Sequence, residues 1–114
     1  QATFEIKKKA KAFYQNGDYS EAIRQFELLD ENDFPLKYFY EGISLLAINE
    51  PEAAVAKLQE FAKNTDSREF KEEVKWYLAL AFLRMDNQEE FIKLAEELAS
   101  KEDDRAKALL QKVK

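Results

Sequence analysis

WYLALAFLRMDNQEEFIKLAEEL, residues 76–98, is the stretch whose reading decides the fold. At helical period it separates into two amphipathic segments joined by the polar break Asp86-Asn87-Gln88, which predicts a helical hairpin. The same two-segment pattern recurs upstream, over residues 13–29 and 45–61. Aligned without gaps inside a pair, Ala10, Phe13, Ala22, Phe26 and Leu29 each precede by 32 residues Gly42, Leu45, Ala54, Leu58 and Phe61 (42 − 10 = 32). Those five in turn precede by 37 residues Ala79, Phe82, Phe91, Ala95 and Leu98 (79 − 42 = 37). Constant offsets confine every length change to the loops between pairs, which is how stacked hairpins vary.

Size at the aligned positions has a physical reading. Ala10, Gly42 and Ala79 are small, as are Ala22 and Ala54 on the partner helices, and two helices approach closely only where such residues cross. Phe13, Leu45 and Phe82 are expected to fill the space beside each crossing. Phe91 stands where a small residue is expected, so the third crossing is expected to be wider or rotated.

Working outward, periodicity predicts helices over about residues 3–16, 18–29, 36–48, 50–63, 68–85, 88–100 and 103–113, seven helices and no strand. Gly17 is expected to end the first in a left-handed conformation. Asp18 with Glu21, Asn49 with Glu52, and either Asp86 with Glu89 or Asn87 with Glu90, read as capping pairs that open the helices after each break. The segment from Leu36 to Ile48 is apolar nearly all round, which predicts burial on more than one side.

The 114 residues suit one domain, 1–114. Two Gly and two Pro in the whole chain leave little turn chemistry for a β-sandwich or barrel. The net charge of −5 argues against a nucleic-acid partner. Cysteine and histidine are absent, which removes thiolate chemistry, the commonest general base and the commonest transition-metal ligand. Ser20, Ser44, Ser67 and Ser100 therefore have no histidine to activate them. The acidic sets Glu89-Glu90 and Glu96-Glu97 point apart on a helix, poor geometry for a metal or an acid–base pair. No catalytic residue, metal or cofactor is expected. The longest apolar run, residues 76–83, falls well short of the roughly 20 residues of a membrane helix, so no membrane contact by this segment is expected. The chain opens at Gln1 rather than Met, which is read as a processed or excised fragment whose upstream anchor, if it has one, lies outside it.

The stretch AKAFYQNGDYSEAIRQF, residues 10–26, resembles the core of a tetratricopeptide repeat, with small-x-x-aromatic, then Gly-Asp-Tyr, then Ala-x-x-x-Phe at the family's spacing. Residues 76–83 are similar to a segment common in its bacterial members. The resemblance covers about residues 4–98 and implies an all-α fold, an α-solenoid of three helix-turn-helix repeats (about 3–31, 35–63 and 68–100) plus a C-terminal capping helix over 103–113. The inter-repeat proline is missing from its usual place, although Pro35 lies nearby.

The family lines its inner groove with the first helix of each pair. Carried over by the same offsets, that implies three rows: Lys7, Phe39 and Trp76; Lys11, Ile43 and Leu80; Tyr14, Leu46 and Leu83. The implied function is a non-enzymatic protein–protein interaction module that takes a peptide or protein segment in this groove. The competing reading packs these side chains internally. A carboxylate clamp is not expected, because Lys11 stands where the clamp needs Asn and Tyr77 where it needs a basic residue. Lys7, Lys8, Lys9 and Lys11 are read as solvated, with an anion or membrane-surface patch as the alternative. The alternative function is structural, a self-associating part of a larger bacterial protein, either cytoplasmic or the soluble part of a membrane-anchored one.

Overall fold

A computed structural model describes residues 2–113. Among these described residues seven helices follow one another: α1 (Ala2–Gln15), α2 (Tyr19–Glu27), α3 (Lys37–Ala47), α4 (Pro51–Asn64), α5 (Arg68–Arg84), α6 (Gln88–Ser100) and α7 (Asp104–Val113). No strand occurs among the described residues. The chain falls into two compact units, Gln1–Phe61 and Ala62–Lys114.

The breaks inside the three hairpins share one geometry. Left-handed residues stand at Gly17 (φ 81°), Asn49 (φ 65°) and Asp86 (φ 59°), separated by the same 32 and 37 residues (49 − 17 and 86 − 49) that align the sequence. At each break the left-handed residue and the one after it donate back to the carbonyls of the helix end, a Schellman motif. Gly17 N bonds Tyr14 O and Asp18 N bonds Phe13 O; Asn49 N bonds Leu46 O and Glu50 N bonds Leu45 O; Asp86 N bonds Leu83 O and Asn87 N bonds Phe82 O. Glu102 (φ 66°) ends α6 the same way, with Asp103 N on Leu98 O. Asn and Asp tolerate this conformation better than other non-glycine residues, because their short polar side chains bond locally.

Two capping expectations are corrected here. Asn49 terminates α3 rather than opening α4, and Asp18 precedes α2 without any side-chain cap bond. Of the two alternatives at the third break, Asn87 is the N-cap, its side chain accepting from Glu90 N at 3.2 Å. Ser67 caps α5 by accepting from Phe70 N at 3.2 Å.

Within the first unit, Ala10 and Ala22 are fully buried where α1 meets α2, and Phe26, Leu29 and Phe34 complete the cluster. Ile6, Phe13, Tyr14, Leu36 and Tyr40 pack against it. Gly42 of α3 lies so close to α4 that an added Cβ would meet Leu58 Cγ and Cδ2 at 2.7 Å and Ala54 O at 3.5 Å. Leu58 is itself fully buried and its Cγ has little freedom to retreat. Gly42→Ala is therefore expected to destabilise by about 1–3 kcal/mol, outweighing the ~1 kcal/mol of helix propensity that alanine gains. Urea unfolding measures it, and a stabilised variant would contradict the close crossing.

Helix α3 is the most enclosed element of that unit. No residue from 36 to 46 is exposed, in keeping with its apolar pattern, yet three of its buried residues are polar: Lys37, Glu41 and Ser44. Lys37 Nζ donates to the carbonyls of Leu29 (2.8 Å) and Phe26 (3.1 Å) at the end of α2, adding a second donor to the Phe26 carbonyl, which also accepts from Leu29 N. Glu41 has no exposure, and its carboxylate holds no hydrogen bond; Lys57 Nζ stands 3.5 Å away and Lys37 Nζ 3.9 Å. Burial pushes the Glu41 carboxyl above its ordinary value of 4.5, and the attraction of Lys57 and Lys37 offsets only part of that.

A carboxyl whose folded value is raised contributes stability below its unfolded value that is lost as pH rises through the folded one. Glu41→Gln is thus expected to gain stability relative to the native chain as pH rises above 4.5, and to match it below. Paired urea titrations from about pH 4 to pH 7 read the difference. A gap that stays flat, or one that closes toward neutrality, would contradict a buried, poorly solvated carboxylate.

In the second unit, Ala79, Phe91, Ala95 and Leu110 form the buried cluster, with Phe82, Leu83, Leu94, Ala99 and Leu109 against it. Phe91, the residue out of size register with the other hairpins, has no exposure. A polar network ties the helices of this unit together at the surface. Lys75 of α5 pairs with Glu72 (3.2 Å) and hydrogen-bonds Glu97 of α6, and Lys101 reaches Glu72 at 3.1 Å. Arg105 of α7 pairs with Glu73 of α5 (2.8 Å) and with Asp103 (2.9 Å). Such exposed pairs contribute at most about 1 kcal/mol each, so they orient α7 more than they hold it.

Candidate functional site

The first unit carries an open cavity of about 300 Å3 lined by Lys11, Tyr14 and Gln15 of α1, Phe26 of α2 and Tyr40 of α3. Its wall is built by aromatic packing. Phe26, Phe34 and Tyr40 lie in nearly parallel planes, with interplanar angles of 9°, 12° and 4° and centroids 5.8 to 6.1 Å apart. Tyr14 meets Tyr40 edge-on at 4.9 Å and Phe26 at 6.4 Å. Offset and edge contacts of this kind fix ring positions and add about 0.5–1.5 kcal/mol per pair. Lys11 Nζ stands 6.0 Å from the Phe34 ring centroid, which sets a cation at the rim.

The cavity lining combines aromatic and polar groups. It offers flat apolar walls, phenol groups, an amide and one ammonium, and no nucleophile paired with a base. Its volume of about 300 Å3 lies at the lower end of the range for small-ligand pockets. Among the described residues no group of three or more acidic side chains is placed to hold a metal ion.

The nine residues assigned to a groove separate by burial. In the first unit, Lys11 is exposed, Lys7, Tyr14 and Ile43 are half-buried, and Phe39 and Leu46 are buried at 7% and 5% exposure. The Phe39 ring packs on Phe61 with centroids 5.2 Å apart and on Tyr40 at 5.6 Å. Phe39 and Leu46 therefore belong mainly to the core of this unit. Lys11 and Tyr14 do come together at the cavity, joined by Gln15, Phe26 and Tyr40, which the offset rule did not single out. The signal for Gln15 was available, since it lies one turn beyond Lys11 on α1.

In the second unit, Trp76, Leu80 and Leu83 are half-buried. The Arg105 guanidinium lies over the Trp76 ring, 4.6 Å from its centroid, so α7 already occupies one face of this aromatic. Leu83 packs against the buried cluster of its unit. No described helix is long and apolar enough to cross a membrane.

Among the described residues, the fold is that of an all-α protein of helical hairpins, and its first unit carries an aromatic-walled cavity. No protein-family model matches the chain, and no curated protein or solved structure matches it significantly.

Proposed function

We propose that this chain is a non-enzymatic protein–protein interaction module built from three tetratricopeptide-like hairpins and a C-terminal capping helix, the α-solenoid class, and that it docks a partner segment at the α1–α3 face of its first unit. The observation that carries the docking site is the cavity between Lys11, Tyr14, Gln15, Phe26 and Tyr40. The recurrence of one turn geometry at Gly17, Asn49 and Asp86 supports the repeat reading. The mechanism is burial of a partner's bulky side chain against preformed aromatic walls, which need little reordering to accept it. A metal or cofactor has no part in this role.

Selection of a displayed random-peptide library on the native chain tests the proposal. Enriched peptides are expected to share one bulky apolar residue and to lose most of their affinity for Tyr14→Ala, because aromatic anchors dominate such contacts. Circular dichroism checks that the variant is folded. Peptides that bind the variant and the native chain equally would place docking elsewhere.

The second reading is self-association within a larger protein, favoured by Leu28 and Phe4, which are 66% and 62% exposed. Light scattering separates the two: a stable dimer in the absence of peptide, dissociated by Leu28→Ser or Phe4→Ser, supports self-association.

A further inference from the structure

The cavity continues into a ridge along α1. Phe4, Lys8, Lys11 and Gln15 follow one another at steps of four, three and four residues, the spacing of a single helix face, and all four are exposed. Helix α1 holds Lys7, Lys8, Lys9 and Lys11 against Glu5, a net +3 (4 − 1) in a chain whose total is −5. Among the described residues none of these four lysines forms an ion pair, whereas Lys75, Lys101, Arg105 and Lys107 of the second unit all do.

Exposed lysines by themselves are only a solvated face. Here they lie between two apolar contact points, Phe4 at one end and the aromatic cavity at the other, and Lys11 belongs to both ridge and cavity rim. A rise of 1.5 Å per residue puts Phe4 and Gln15 about 16 Å apart, which about five residues of extended chain would span. An anionic membrane surface fits less well. The rest of the apolar face of α1, including Ile6, Ala10 and Phe13, is packed into the core, leaving Phe4 alone to insert.

We propose that the ridge and cavity take an acidic peptide segment, with one bulky apolar side chain seated among Tyr14, Phe26 and Tyr40 and side-chain carboxylates over Lys8 and Lys11. The inference rests on the docking site proposed above and adds the chemistry of the partner. Recognition is of side-chain carboxylates along a segment rather than of a chain terminus. The apolar contact supplies affinity, and the charges supply selectivity and a faster encounter.

The test is fluorescence anisotropy with a labelled, end-blocked eight-residue peptide holding one leucine among glutamates, beside the analogue with glutamine throughout. The glutamate peptide is expected to bind roughly tenfold tighter at low ionic strength, what two exposed charge pairs can supply. High salt should erase the advantage. Lys8→Glu with Lys11→Glu should abolish it. Lys9→Glu, over a quarter-turn off the ridge, should leave most of it in place. Equal binding of the two peptides, with Tyr14→Ala weakening both, would overturn the acidic selectivity and leave the docking site standing. Binding of neither would sink both. Retention of the chain by phosphatidylserine vesicles through Lys8 and Lys11, without peptide selectivity, would overturn the inference in favour of a lipid surface.

Discussion

Phe91→Ala is expected to lower the unfolding free energy of the second unit by about 3–5 kcal/mol. The ring has no exposure and shares its cluster with Ala79, Ala95 and Leu110, so truncation removes a large apolar group and leaves a void with small neighbours around it. Two of those neighbours are alanines, which have no side chain to swing into the space, so relaxation recovers little. Against a typical total of roughly 5–15 kcal/mol, the loss is severe. Trp76 is the single tryptophan and lies in this unit, so its fluorescence in urea reports the transition. A midpoint that shifts by the equivalent of less than about 1 kcal/mol would contradict the burial of the ring.

Lys37→Met should cost nearly as much, for a different reason. Methionine keeps much of the apolar stem and deletes the ammonium, which leaves the carbonyls of Phe26 and Leu29 without this donor and Glu41 with Lys57 as its remaining counter-ion. Breaking a buried pair by removing one partner costs about 3–5 kcal/mol, because the other charge stays desolvated. The diagnostic is the double-mutant cycle. If the stranded charge is the main term, Lys37→Met combined with Glu41→Gln should be more stable than Lys37→Met alone. If the carbonyl caps dominate, the double variant should be no better than the single. A neutral Lys37→Met would contradict both roles.

The hairpins were legible because their residues repeat at fixed offsets, and those offsets reappear in the backbone at Gly17, Asn49 and Asp86. The role of Asn49 was not. Asn serves equally as a helix N-cap and as a left-handed terminator, and local sequence does not say on which side of the break the helix bond will form. Phe39 and Leu46 were placed on the Lys7–Tyr14 face by a correct offset, but periodicity says which residues share a face and not how much of that face a neighbour covers. The polar burial of α3 was equally hidden. Lys37 finds its acceptors 8 and 11 residues back in sequence, at a helix end whose direction only the folded chain fixes. The cavity was half legible. Lys11 and Tyr14 were singled out, whereas Phe26 entered only as an aligned repeat position, and it lines the cavity although almost fully buried.

The docking site is tested most directly by a two-dimensional NMR titration of the isotope-labelled chain with a peptide enriched on it. The expected result is a set of shifts concentrated at Lys8, Lys11, Tyr14, Gln15 and Tyr40 that saturates with the binding isotherm. Shifts gathered instead in α5–α7 of the second unit, with those five residues unmoved, would contradict it.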